Sequence, residues 1–262
     1  MIWVMTLNEA NSGQQHHIEK YEILAKTALL SAKINAPKLQ PLLIYNGQPN
    51  QFTSDMTNMG AEIIFHKLSF EIEIVNNSKR DDLWKQIAMG AYLRLDIPDV
   101  LNSNDTILYT DTDIIFLKDP TEYLLTTDLI AASSEFEFHD FSKINTGSMV
   151  INLEKSRDPF RIVREKTIDN LDVIEDYDQG ALRLFLNRKW DHLHQFMNWK
   201  PYWGVEEKAI ILHFHGPKPH DFNLNNYELN NNIPIYDHLF NLSKDGYKNY
   251  LEKWINLYNM IQ

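Results

Sequence analysis

The chain has 262 residues, 44% hydrophobic and 23% charged, with no cysteine and a formal net charge of −11. That length and balance suit a soluble globular fold with a sizeable core and exclude fibrous, disordered and disulfide-stapled classes. The negative charge disfavours nonspecific binding to nucleic acid or anionic membranes, and the lack of thiols removes cysteine nucleophiles and thiolate metal sites.

A reducing, cytoplasmic setting fits this composition and is the expected one, and no apolar run reaches the length of a membrane span. The opening Met1-Ile2-Trp3-Val4-Met5 has no basic flank, so it reads as a buried strand over residues 2–7 rather than a leader. A polar loop from Asn8 to Gln15 follows. Ile18, Tyr21, Leu24, Ala25, Ala28, Leu29 and Ala32 then mark a helical stripe that ends before Pro37. Leu42 to Tyr45 is a strand stopped by Asn46-Gly47. Phe52 to Met59 is a helix with Gly60 as its C-cap, and Ala61 to Phe65 is the next strand. This β-α-β-α-β order predicts a mostly parallel sheet with right-handed crossovers.

Ser78 followed by Asp81 resembles a capping box, and Leu83, Ile87, Ala91 and Leu95 mark a helical face, with Trp84, Ala88 and Tyr92 beside it, closed by Pro98, with Arg94 near its end. Ile107 to Tyr109 is a strand buried on both faces. Beyond it come a helical turn over Thr121 to Leu125, a strand over Leu129 to Ala132, and a loop of mixed acids and aromatics from Glu135 to Phe141. Asn145-Thr146-Gly147-Ser148 reads as a turn before a strand at Met149 to Leu153. Helices are predicted near residues 159–169 and 178–187, a strand at Ala209 to Leu212, and a closing helix over Tyr247 to Ile261. No internal repeat is present.

The chemistry concentrates where strands end. Asp111 and Asp113 flank Thr112 directly after the Ile107 strand, and open α/β sheets bind ligands beyond the carboxyl ends of their strands. Two carboxylates a few ångströms apart raise one another's pKa unless they share a cation, and a hard divalent ion with oxygen ligands answers that need. A strand followed by Asp-x-Asp also serves phosphoryl transfer in haloacid-dehalogenase-like enzymes, but those place it on the first strand before a small turn; here Ile114-Ile115-Phe116 follows, midway along the chain. His213, at the end of another strand, offers an imidazole, Gly216 permits close backbone approach, and Lys218 supplies positive charge beside a diphosphate. Two carboxylates and one imidazole, completed by phosphate and water oxygens, suit Mn²⁺ and tolerate Mg²⁺.

Asp111-Thr112-Asp113, the Asn145 to Leu153 stretch, Asp178-Gln179 and His213 to Pro219, in that order and spacing, resemble the GT-A glycosyltransferases of family 8, the glycogenin and bacterial galactosyltransferase group. The approach Ala91-Tyr92-Leu93-Arg94-Leu95 through Asp119-Pro120 is similar as well. The resemblance implies a GT-A, Rossmann-like α/β fold in one catalytic domain: a nucleotide-binding half over about 1–120, a sugar and acceptor half over about 121–220 and a helical extension over about 221–262. It implies transfer of a hexose from a nucleoside-diphosphate sugar, with UDP-sugar as donor, to an acceptor hydroxyl with retention of anomeric configuration. Asp111, Asp113 and His213 would then hold the metal. Asn145 and Asp178 would contact the sugar, Gln179 would lie near the anomeric carbon, Arg94 would orient the sugar, and Lys218 would neutralise phosphate. Thr6, Leu7 and Asn8 would lie at the uridine, where Asn8-Glu9-Ala10-Asn11 replaces the family's Asp-Asp-Asn-Tyr-like segment. Trp199, Tyr202, Trp203 and His215 are candidate acceptor contacts, since apolar sugar faces stack on aromatic rings. A noncatalytic nucleotide-sugar or carbohydrate binder with the same fold is the alternative function.

Overall fold

The structure is a computed structural model that describes residues 1–9, 15–124 and 126–261, with side chains of the first helix described from Lys20 onward. Residues 10–14 of the predicted loop, the Ile18 side chain and Leu125 lie outside the described residues. In chain order the elements are β1 (Ile2–Asn8), α1 (Gln15–Asn35), β2 (Gln40–Asn46), α2 (Gln51–Asn58), β3 (Glu62–Phe65), α3 (Glu71–Asn77) and α4 (Asp82–Tyr92). There follow α5 (Ile97–Val100), β4 (Thr106–Thr110), β5 (Ile114–Phe116), β6 (Ile130–Ser134), β7 (Ile144–Asn152), α6 (Leu153–Asp169) and α7 (Tyr177–Phe185). The last are β8 (Asp191–His192), β9 (Ile211–His213), β10 (Phe222–Asn223), β11 (Glu228–Leu229), α8 (Pro234–Leu242) and α9 (Lys244–Tyr258).

Seven strands form a central sheet in the order β3-β2-β1-β4-β7-β6-β8, in which every strand except β7 runs in one direction. The period of two sorts the strand side chains onto two cores. Val4, Ile44, Ile107, Tyr109 and Ile151 face a layer built from α4, α6 and α7. Trp3, Met5, Leu43, Leu108 and Val150 face α1 and α2. Each such side chain contributes roughly 1.5–3 kcal/mol by leaving water. A third cluster packs α8 and α9 against β9 and the aromatic turn around Trp199 and Tyr202. No helix among the described residues is long and apolar enough to cross a membrane.

Four local expectations change. Asp81, not Ser78, caps α4 by accepting from the Trp84 N–H, and the buried face of that helix is Ala88, Met89 and Tyr92, with Leu83 66% and Ile87 41% exposed. The segment around Pro98 is not a helix end but a 3₁₀ turn leading into α5, with Pro98 in its first turn. Asn145 to Ser148 is no turn: β7 starts at Ile144 and carries these polar residues inside a buried strand. Leu153 opens α6 rather than ending that strand, and the helix begins there, capped by Asn152, six residues before Pro159.

Candidate active site

The site forms where β4 ends at the middle of the sheet. Asp111 keeps its backbone N–H on Gly147 O, 2.9 Å, and the chain then bends away from β7. Strand β5 instead pairs antiparallel with β9, which sets Ile114 opposite His213, and Phe214 N–H donates to Asp113 O at 2.9 Å. Two segments a hundred residues apart in sequence are thus held side by side by backbone pairing. One ligand atom from each of Asp111, Asp113 and His213 falls within 4.8 Å of the others.

The electrostatics are those of a cleft with excess negative charge. Arg94, buried, bridges the two halves: its guanidinium meets Asp111 Oδ1 at 2.9 Å and Asp178 Oδ2 at 3.3 Å, and donates to Thr146 Oγ1 at 2.8 Å. The Tyr109 hydroxyl donates to Asp111 Oδ1 at 2.7 Å and meets Thr6 Oγ1 at 3.1 Å. Asp113 Oδ2 pairs with Lys218, whose ammonium also donates to Phe214 O at 2.8 Å. Burial alone would raise the Asp113 pKa, but Lys218 and His213 outweigh it and hold the carboxyl well below the usual range. For Asp178 burial wins over Arg94 and the Thr146 hydroxyl, and its pKa is pushed up to about 6.

His213 Nδ1 lies 3.0 Å from Asn198 Oδ1, and Asn198 Nδ2 donates to Asn145 Oδ1 at 2.8 Å and Ser133 Oγ at 2.7 Å. Asn198 Oδ1 can only accept, so the Nδ1–H of His213 donates to it and Nε2 is left facing Asp113 Oδ1 at 3.3 Å. Asp113 Oδ1 is buried without a hydrogen-bond partner. Nε2 and Oδ1 are both atoms that a divalent ion takes as ligands, and with Asp111 the donor set suits a hard or borderline divalent ion.

The opposite wall comes from the start of α7. Asp176 (φ 60°) and Tyr177 (φ 49°) both adopt left-handed backbone, which turns Asp178 and Gln179 inward at a cost of roughly 1 kcal/mol per residue. A Cβ on Gly180 would collide with Glu175 O, so only glycine lets the helix start this close. Asp178 Oδ2 accepts from Thr146 Oγ1 at 2.6 Å; Gln179 Oε1 accepts from Asn145 Nδ2 and Thr146 N–H, both at 3.0 Å. Arg94, Asp111, Asp113, Asn145, Thr146, Asp178, Gln179, His213, His215 and Lys218 line one open cavity of about 270 Å³.

Most of the other sequence candidates lie elsewhere. Leu7 is in the core and Thr112 is buried between the two carboxylates. Asn8, at the end of β1, opens onto a neighbouring cleft of about 640 Å³ with Glu9, Asn46, Phe65 and His66, while Thr6 reaches the site only through Tyr109. Gly216 has φ 91° and packs where a Cβ would press on Leu239, so its role is in the turn. Trp199 and Tyr202 belong to the third core cluster, so their rings are not open to a sugar. Trp203 lies under the Lys200 ammonium at 4.1 Å and donates to Phe136 O at 2.7 Å. His215 lines the cavity and meets the Tyr202 hydroxyl at 2.8 Å; burial, then the charges of His213, Lys200 and Lys218, push its pKa well down, so it is neutral. Sequence reading missed Asn198, Thr146 and Glu135, which donates no motif but accepts from Gln179 Nε2 at 2.9 Å.

The solved structure of glycosyltransferase GlyE from Streptococcus pneumoniae TIGR4 superposes with a TM-score of 0.63 at 19% identity, over 97% of this chain and 63% of that one. This chain thus spans under two thirds of GlyE's length. The galactosyltransferase LgtC, solved in complex with donor and acceptor sugar analogues, gives 0.65 at 17% identity over 92% of this chain and 95% of that one. Mouse xyloside xylosyltransferase 1 gives 0.57 at 12% identity, covering 81% and 97%. At these identities the likeness is one of fold, GT-A. A comparison with curated protein sequences returns no match. The sequence profile of Glycosyl transferase family 8 matches residues 16–221. The chain belongs to glycosyl transferase family 8.

Proposed function

We propose that this glycosyltransferase is divalent-metal dependent, takes a hexose from a nucleoside diphosphate sugar, with UDP as the nucleotude carrier, and passes it to a hydroxyl acceptor with retention. The observation that carries the metal reading is the convergence of one ligand atom each from Asp111, Asp113 and His213 within 4.8 Å, with Asp113 Oδ1 left without a hydrogen bond. A cation held by Asp111, Asp113 and His213, Mn²⁺ before Mg²⁺ because one ligand is nitrogen, would stabilise the charge of the departing diphosphate. Lys218 sits beside that position and adds a second positive charge.

The sugar would lie across Asn145, Asp178 and Gln179, with Arg94 fixing the two acids that face it. Gln179 Oε1 already accepts two hydrogen bonds and its amide is neutral, which supports attack by the acceptor on the face the leaving group vacates over a covalent intermediate on Gln179. The acceptor would approach past neutral His215, whose ring is 5.2 Å from that of the exposed Phe136. On this reading residues 1–120 bind the nucleotide, 121–220 the sugar and acceptor, and 221–262 buttress them.

The test is UDP release from UDP-glucose, UDP-galactose and UDP-N-acetylglucosamine with Mn²⁺, Mg²⁺ or EDTA, with product anomers read by NMR. Turnover that needs the metal supports the proposal; turnover undiminished in EDTA refutes the metal assignment, and an inverted product refutes retention.

A further inference from the structure

Glu135 stands just beyond the β-bulge that breaks the β6–β7 register between Ala132 and Ser133, and it is only 5% exposed. Its backbone is tied on both sides, N–H to Lys143 O at 3.1 Å and O from the Tyr202 hydroxyl at 2.9 Å. Its carboxylate is not: Oε1 accepts from Gln179 Nε2 at 2.9 Å, and Oε2 is buried with no hydrogen-bond partner. Burial, then the charge of Asp176, raises its pKa against the pull of Gln179, Lys143 and Arg183. A buried acid with one oxygen unpaired destabilises a fold, so its place beside Gln179 points to a use outside stability.

The use lies in the direction of the hydrogen bonds. Asn198 Nδ2 donates to Asn145 Oδ1, Asn145 Nδ2 donates to Gln179 Oε1, and Gln179 Nε2 donates to Glu135. Each side-chain amide in this chain has two faces of opposite polarity, and a carboxylate can only accept. The backbone N–H groups of Thr146 and Gly147 fix the oxygens of Gln179 and Asn145, and an acceptor at the end of the chain holds the Gln179 NH₂. Without it, the Gln179 amide keeps its oxygen near Thr146 N–H but loses the restraint on its NH₂ end.

We propose that Glu135 is a positioning residue for Gln179: it anchors this one-way chain of amides and so sets the Gln179 group presented to the donor sugar. The inference rests on the reading of Gln179 as a sugar contact given above. Misplacing such a group by about 1 Å costs on the order of 100-fold in rate, whereas binding of the nucleotide, held elsewhere, is unaffected.

The experiment compares wild type, Glu135→Gln and Glu135→Met. Glutamine keeps an acceptor oxygen at the same reach; methionine fills the space with none. The expected result is kcat for Mn²⁺-dependent UDP release within about threefold of wild type for E135Q and at least tenfold lower for E135M, with donor KM within about twofold for both. The melting temperature of E135M should equal or exceed that of wild type, which a merely structural role would not give. In ¹⁵N spectra of the free protein, the Gln179 side-chain amide protons, assigned by their absence in Gln179→Ala, should exchange slowly in wild type and E135Q and rapidly in E135M. Unchanged kcat in E135M, loss of its fold, or a tenfold fall in well-folded E135Q would each overturn the proposal. If wild type turns over none of the donors, the functional reading fails, and the exchange measurement still decides the role of Glu135.

Discussion

The imidazole of His213 packs directly against Gly147: a Cβ built there would sit within 2.6 Å of the ring's Nδ1 and closer still to Cε1. The glycine in the middle of β7 is thus the floor on which the third candidate ligand rests. The same strand supplies Asn145 two residues earlier, on the same face. Gly147→Ala should leave the sheet paired, since φ there is ordinary, and push the ring out of line with Asp113. We expect Mn²⁺ affinity and metal-dependent turnover to fall at least tenfold with a small change in melting temperature. Isothermal titration with MnCl₂ checks this, and an unaltered Kd would count against His213 as a ligand.

Asp113 is held from both sides, by Lys218 and by His213, and is 6% exposed. Asp113→Asn should remove metal-dependent turnover to the limit of detection. It should also destabilise the protein, because Lys218 loses its carboxylate while still largely buried; breaking such a pair costs about 3–5 kcal/mol. A melt beside an assay separates the two effects: full activity in Asp113→Asn would refute the assignment, and the double variant with Lys218→Met should recover stability without recovering activity.

Lys218 alone gives opposite signs in two measurements. Its ammonium sits on Asp113 Oδ2, beside the Oδ1 that a cation would use and opposing it as a like charge, and it also stands where leaving-group charge would build up. Lys218→Met should therefore tighten Mn²⁺ binding to the nucleotide-free protein several-fold and lower kcat with a UDP-sugar by 10- to 1,000-fold. Weaker metal binding in the variant would show that Lys218 does not compete for the carboxylate.

Strands β1, β2 and β4 are legible because strands buried on both faces read as unbroken apolar runs, and the carboxylates stand out by following one of them. The helix α4 is less so: it carries apolar residues on two stripes, and periodicity alone does not say that Tyr92 rather than Leu83 meets the sheet. Asn145 to Ser148 look like a turn because polar residues are rare in buried strands, yet here they are buried, with Asn145 bonded to Gln179 and Thr146 to Asp178. Asn198 and Glu135 leave no signal at all. Their significance comes from contacts with His213 and Gln179, which are set by the β5–β9 pairing and a bulge in β6.

Asp178 and Asp113 shift in opposite directions, which gives the stability an acid limb and a neutral limb. In the unfolded chain an aspartate titrates near 3.8, and in the fold Asp178 is pushed up to about 6, first by burial. Between those values the folded state keeps a proton that the unfolded state has lost, so stability falls as pH rises through that window, by on the order of 3 kcal/mol. Asp113, held well below its ordinary value, does the reverse: its contribution is present above the unfolded pKa and is lost as pH falls beneath it. Asp178→Asn keeps the shape of the neutral acid and should abolish the first limb alone. In urea melts of metal-free protein, the variant's advantage over wild type should grow from pH 4 to pH 7 and stay constant above about 7, as expected for a group with a raised pKa. A difference that does not change with pH would mean that Arg94 keeps Asp178 ionised throughout, as it would be if the pairing at 3.3 Å outweighed burial.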